Sequence, residues 1–263
     1  MIYSRYLRSW SVLNKLLRTI YTFTIGLHSG IWLGIFNRDD LYNLDEIYYQ
    51  SEDMYRNRDY NVGGLFSWEK HVVDKYFYGK KTILVGAAGG GREIIGLSDM
   101  EFQVDGFECN QTLITNAKKL LAELDIKCTL ELSERNMCPT MNSKQYDAIL
   151  VGWGGYMLIH TAEARIKFLR SLRARISKGA PILISFYHRE SESFDFKLTV
   201  KTANLIKRLR GKQHPSITLG DSLTPNFVHH FSHSEIKNEL EAGGYHLVYY
   251  STVSYGHAVG IAR

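Results

Sequence analysis

Between Lys81 and Asn110 the chain reads KTILVGAAGGGREIIGLSDMEFQVDGFECN, a stretch that few folds admit. Thr82 to Val85 is a short aliphatic run of the kind buried on both faces of a parallel sheet, and it stops at Gly86. From Gly86 through Ala87, Ala88, Gly89 and Gly90 to Gly91 no side chain exceeds a methyl group. Backbone there can take positive φ and lie against a ligand. Arg92 then starts a helix whose free N–H groups favour an anion or a polar group. The next run, Phe102 to Phe107, delivers Glu108 at its carboxyl end, about 20 residues beyond the turn. An acid at that place in an α/β nucleotide fold accepts hydrogen bonds from both ribose hydroxyls.

Tight packing alone also explains a glycine turn, so the pairing with Glu108 is what points to a ligand. As a dinucleotide fingerprint the run fits poorly: with Gly89 and Gly91 as the first two glycines of G-x-G-x-x-G, the third falls on Ile94. ILVGAAGGGRE, followed by an acid after the next strand, resembles motifs I and II of the class I S-adenosylmethionine-dependent methyltransferases. The resemblance covers about residues 65 to 263 and names no acceptor.

What the resemblance implies is an α/β, Rossmann-like open sheet, mostly parallel, with a C-terminal antiparallel hairpin and an N-terminal helical lid. The cofactor would be S-adenosyl-L-methionine and the product S-adenosyl-L-homocysteine. On this chain the cofactor-binding positions would be Gly86, Ala87, Ala88, Gly89, Gly91 and Glu93 at the turn, with Glu108 and Cys109 after the second strand. The loop Ser133 to Pro139 resembles the adenine-side loop, with Glu134 and Arg135 as candidates and Asn136 able to replace the acid. Asp147 matches the aspartate usual at the start of the fourth strand, and Gly152 and Trp153 follow that strand.

With 263 residues, 44% of them hydrophobic and 22% charged, the chain has core enough for one α/β domain with an N-terminal addition. The expected division is an arm or lid over 1–64 and a cofactor-binding domain over 65–263, with an acceptor-side insertion at about 187–231. Cys109, Cys128 and Cys138 lack metal-ligand spacing, which reads as reduced thiols in a cytoplasmic protein with no metal. The net charge of +5 is uneven: Lys197, Lys201, Lys207, Arg208, Arg210 and Lys212 fall in a stretch without acids. A solvated helix face explains this more simply than a site for an anionic substrate or RNA, and no aromatics are interleaved for single-strand binding.

In residues 1–36, Arg5, Arg8, Lys15 and Arg18 stand among no acids, and Leu7, Trp10, Leu13, Leu17 and Ile20 recur near helical spacing. This predicts an amphipathic helix. The uncharged run Thr19 to Phe36 is at the short end for a membrane span and carries threonines, a histidine and glycines, so an interfacial or substrate-covering helix is the better reading. No A-x-A-like cleavage site follows it. Residues 37–64 are rich in tyrosine, and the resemblance makes Tyr49 and Tyr60 candidates for closing on the cofactor. The same rings are equally explained as docking the arm on the core.

The rest of the chain alternates as a parallel sheet requires, with helices over Gln111 to Leu124 and Thr161 to Ile176, and strands over Lys127 to Leu132, Tyr146 to Val151 and Ile182 to Phe186. After the fourth strand, GWGGYMLIH puts Trp153, Tyr156 and His160 where ligands bind in open sheets, as candidate acceptor-side residues. In DSLTPNFVHHFSH, Ser232 and Glu235 form a capping box. His229 and His230 precede that helix as candidate general bases, with His233 as a candidate acceptor contact. A satisfied structural histidine is the competing reading, and zinc is disfavoured because no acid or cysteine joins the cluster. His246 to Thr252 and His257 to Arg263 read as a terminal hairpin.

For function, the resemblance implies methyl transfer to an O or N atom of a small molecule or peptide in a biosynthetic pathway. A cofactor-binding scaffold with a membrane- or partner-docking arm, and an RNA methyltransferase, are the alternatives.

Overall fold

The computed structural model describes residues 2–139, 144–211 and 215–263, the side chain of Ile2 apart. Lys212 and residues 140–143 therefore lie outside the described residues. The chain forms two compact units, Met1–Leu41 with Arg189–Val228, and Tyr42–His188 with His229–Arg263. The division falls at 41 and not at 64: the first 41 residues join the insertion, and the tyrosine-rich segment belongs to the larger unit.

The smaller unit is built on α1 (Ile2–Ile35) and α8 (Phe194–Leu209), with β6 (Asp221–Leu223). Gly26, Gly30 and Gly34 lie one turn apart on α1 and let α8 approach closely. A Cβ at these positions would come within 2.7 Å of the Asp195 carbonyl oxygen, Thr202 Cβ and Ile206 Cβ respectively. The Thr199 hydroxyl donates to the Gly26 carbonyl at 3.1 Å. Arg210 donates to the carbonyls of Gly34 and Ile35 at the end of α1, where a cation also meets the negative end of the helix dipole. Lys207 donates to the Pro215 carbonyl. Lys207 and Arg210 of the basic stretch thus bind carbonyls of their own unit, which a purely solvated face does not provide for.

The larger unit carries the sheet. Its strands are β1 (Thr82–Gly86), β2 (Gln103–Glu108), β3 (Leu130–Leu132), β4 (Ala148–Val151), β5 (Pro181–His188), β7 (Phe227–Phe231, of which His229–Phe231 belong here), β8 (Tyr245–Ser251) and β9 (Gly256–Ala262). The parallel order is β3-β2-β1-β4-β5. On the other edge of β5, β9 runs antiparallel and pairs in turn with β8, which is the expected terminal hairpin. His230 and Phe231 pair in parallel with Tyr187 and His188 at the end of β5, so the segment expected as a lead-in to a helix is a strand.

The helices of this unit are α2 (Arg38–Ser51, from Tyr42), α3 (Arg58–Val62), α4 (Ser67–Tyr76), α5 (Arg92–Ser98), α6 (Gln111–Glu123), α7 (Ala162–Arg173) and α9 (His233–Ala242). α6 starts on Asn110, whose side chain accepts from the N–H groups of Thr112 and Leu113, and α9 starts on the Ser232–Glu235 capping box. The core is formed by Ile83, Val85, Ile94, Leu97, Ile114 and Leu150, all at most 2% exposed. Asp147 lies at the end of the sheet away from the glycine turn. Its carboxylate accepts from the N–H groups of Lys81 and Thr82 and from the Thr82 hydroxyl, so it ties β4 to β1. These bonds, that to the Thr82 N–H foremost, lower its pKa.

Candidate active site

The glycine turn follows β1 at the carboxyl edge of the sheet. Ala87, Gly89 and Gly91 have φ of 52°, 52° and 94°, a region open to glycine at little cost and strained for alanine. Two approaches shape the turn: a Cβ on Gly152 would lie 2.2 Å from the Ala87 oxygen, and one on Gly90 would lie 2.2 Å from the Tyr55 oxygen. A Cβ on Gly89 would meet nothing within 4 Å. That residue faces open space.

Glu108 ends β2 beside this opening and is 6% exposed. Its Oε1 accepts the N–H groups of Cys109 and Asn110, and its Oε2 that of Gly89, all at 2.8 Å. The carboxylate is held rigid and still has lone-pair capacity on Oε2. A cleft of about 800 Å³, open to solvent, runs from here. It is lined by Cys109, Leu113 and the loop from Ser133 to Met137, and by Tyr49, Tyr55 and Trp153.

The adenine-side loop is pinned from α2. Arg135 pairs with Asp45 at 2.5 Å and lies over the Tyr42 ring, and the Asn136 amide donates to the Tyr42 hydroxyl at 3.1 Å. Tyr42 in turn stacks on His160 at 4.6 Å. His160 thus supports this corner and is not among the residues lining the cleft. Burial, with further contributions from Tyr55, Asp45 and Glu108, drives the Tyr49 hydroxyl pKa well up, so the phenol stays a hydrogen-bond donor.

A smaller hollow of about 260 Å³ adjoins the turn and is lined by Tyr60, Asn61, Gly90, Glu93 and Trp153 among others. Glu93, 4% exposed, accepts the Trp153 N–H at 2.8 Å and pairs with Arg92 at 2.6 Å. Arg92 is also bound by Glu69 at 2.6 Å, and its guanidinium lies 3.9 Å from the centre of the Phe66 ring. The Glu93 carboxylate in the first turn of α5 is thus taken up by the Arg92 side chain and the Trp153 N–H. Burial raises the Tyr60 pKa to about 12 against the opposing pull of Arg92.

An aromatic belt continues from Trp153. Its ring lies 5.3 Å from Tyr255, Tyr255 lies 5.7 Å from Tyr187, and Tyr187 stacks on His230 at 5.1 Å. Three other candidates are placed differently. Tyr156 is wholly buried and donates to Glu239 at 2.6 Å inside a network with Arg165, so it is a core residue and no acceptor contact. His229 is 1% exposed, 3.7 Å from the Glu235 carboxylate, and does not line the cleft. His233 is exposed on the first turn of α9, edge-on to Tyr250 at 4.6 Å.

Gly86, Ala88 and Gly91 shape the turn without lining the main cleft, whereas Ala87, Gly89, Glu108, Cys109, Glu134, Arg135, Tyr49 and Trp153 line it. Sequence reasoning missed Asp45, Tyr55, Tyr187 and Tyr255. The tyrosine count gave a signal for Tyr55, but nothing local marks Tyr187 or Tyr255, which meet only through the β5–β9 pairing.

No family model matches the chain, and no curated protein matches it. Solved structures do. One is an S-adenosylmethionine-dependent methyltransferase from Methanosarcina mazei, 14% identical, TM-score 0.58, over 76% of this chain and 98% of that one. The class I methyltransferase fold is shown. DesVI from Streptomyces venezuelae shares this fold at 14% identity and TM-score 0.56, over 87% of this chain and 99% of its own. CalS10, an amino pentose methyltransferase from Micromonospora echinaspora with its cofactor bound, shares it at 12% identity and TM-score 0.55, over 78% and 95%.

Proposed function

We propose that the protein is an S-adenosylmethionine-dependent methyltransferase acting on an oxygen or nitrogen atom of a small molecule, in a biosynthetic pathway. The observation that carries this reading is the rigid Glu108 carboxylate beside the open Gly89, at the carboxyl edge of a sheet of methyltransferase topology. The cleft fits an adenosyl group: Glu108 would hold the ribose diol, Cys109 and Leu113 would flank the base, and Asn136 or Glu134 would meet its amine. When bound, the cofactor supplies a methyl group already activated on a sulfonium.

The chain's own part is to align and to exclude water, and alignment of reacting atoms to about 3–3.5 Å can supply most of the rate. Tyr49, Tyr55 and Trp153 line the cleft, and the belt through Tyr255 and Tyr187 supports an acceptor with a flat or apolar body. Where the acceptor carries a proton, His230, stacked on Tyr187 at the end of the aromatic belt and outside the residues that line the cleft, is the candidate to take it, because His229 is buried against Glu235. The small-molecule acceptor draws support from the amino pentose methyltransferase of the same fold.

The test is calorimetric titration with S-adenosylmethionine, S-adenosylhomocysteine and a nicotinamide dinucleotide, then labelled methyl donor with a panel of hydroxyl and amine acceptors. The reading predicts binding of the two adenosyl sulfur compounds alone and transfer of label. Nicotinamide binding, or no binding of either sulfur compound, would overturn it. Unchanged turnover in His230→Ala would remove the base role and leave the rest standing.

A further inference from the structure

Over about its first five turns α1 is open to solvent: residues 3–21 are exposed throughout. At about 100° per residue, Tyr6, Trp10, Leu13, Leu17, Ile20 and Tyr21 fall within a single arc of roughly 100°. Arg5, Arg8, Lys15 and Arg18 fall on the opposite face, with Ser11 and Thr22 between them. Trp10 is 50% exposed, Leu13 44% and Leu17 53%, an apolar surface that a soluble chain seldom leaves open. The hydroxyls of Ser9, Thr19, Thr22 and Thr24 donate back to carbonyls of their own helix, which lowers their need for water. The same apolar face continues past the glycine stripe through Ile31 and Ile35, both also exposed.

We propose that α1 lies flat in the headgroup layer of an anionic lipid bilayer, apolar face inward, with its four cations at the level of the phosphates. Aromatic and leucine side chains on one face, with all the charge on the other and all of it basic beside the exposed Val12 and Leu16, suit an interfacial helix. The charge selects this occupant: no acid occurs in residues 1–38, so a second α1 offers the cationic face no complement, whereas an anionic surface does. No single helix among the described residues is long and apolar enough to cross a membrane, and basic residues spread along α1 from Arg5 to Arg18 suit surface binding. The proposal is independent of the methyltransferase reading.

The test floats the full chain with vesicles of phosphatidylcholine alone or with one third phosphatidylglycerol. Flotation with the anionic vesicles only, weakened by added salt, is expected, with a blue shift of tryptophan emission that Trp10→Phe removes. At about fivefold per basic residue, Arg8→Glu with Lys15→Glu lowers partitioning at least about tenfold. Leu13→Asp with Leu17→Asp abolishes it, and both variants keep the parent melting temperature because the sites are exposed. Absence of flotation, equal flotation with neutral vesicles, or an unaffected Arg8→Glu/Lys15→Glu variant overturns the proposal. So does a dimer in light scattering that Leu13→Asp/Leu17→Asp dissociates without any vesicle binding.

Discussion

The Glu108 carboxylate accepts the Gly89 N–H at 2.8 Å, tying the end of β2 to the middle of the glycine turn. One side chain thus organises the turn, and in the proposed function it is also the acceptor for the ribose. In Glu108→Ala the N–H groups of Gly89, Cys109 and Asn110 lose their common partner, and the ligand loses a charge-assisted bond worth about 1.5–3 kcal/mol. Calorimetry should show the donor dissociation constant rising by about 10- to 100-fold. An unchanged constant would mean that the diol is held elsewhere.

The turn separates two glycine roles. Gly90→Ala would drive a methyl group into the Tyr55 carbonyl and the Asn61 side chain, 2.2 and 2.6 Å away, so the segment around the end of α2 must shift. The expected result is a loss of about 1–3 kcal/mol with faster proteolysis between Met54 and Val62. Gly89→Ala adds a methyl group to open space, at a φ of 52° that costs an alanine about 1–2 kcal/mol. That segment should then keep its protection while donor binding weakens, and limited proteolysis beside calorimetry separates the two.

These roles also show how far the sequence can be read. The turn, Glu108 and the terminal hairpin are local patterns: glycine permissiveness, an acid ending a strand, and two β-rich runs around a short turn. Tyr156 looked like a pocket residue because GWGGY is local, yet its hydroxyl is claimed by Glu239, 83 residues away in the chain. His229 and His230 read as a pair but alternate across a strand, one buried and one stacked on Tyr187. Pairing of residues far apart in sequence is settled by packing, and no window of residues contains it.

Arg92 is the clearest such case, fixed between Glu69 and Glu93 at 2.6 Å to each, with all three buried. Removing it leaves two buried carboxylates without their shared cation, a loss of about 3–5 kcal/mol. Arg92→Leu should therefore be strongly destabilised in urea titration. Arg92→Lys should recover little, since a single ammonium cannot reproduce the fork that meets both Glu69 oxygens and the Gly64 carbonyl. Full recovery by lysine would show that charge alone, without geometry, holds this corner.

Glu235 ties acid stability to the cap of α9. Burial alone would raise its pKa, but the neighbouring His229 and hydrogen bonds from the backbone and side chain of Ser232 outweigh that and lower it from 4.5 to about 2. Because the folded pKa lies below the unfolded one, the folded state holds fewer protons. The contribution is complete above pH 4.5 and disappears as pH falls towards 2. A shift of this size corresponds to about 2–3 kcal/mol after allowance for partial exposure. In urea titrations at stepped pH, Glu235→Gln should be less stable than the parent at neutral pH by about that amount, and the gap should close between pH 4.5 and 2. A gap that persisted unchanged to pH 2 would show that the capping geometry, and not the carboxylate charge, supplies the stability.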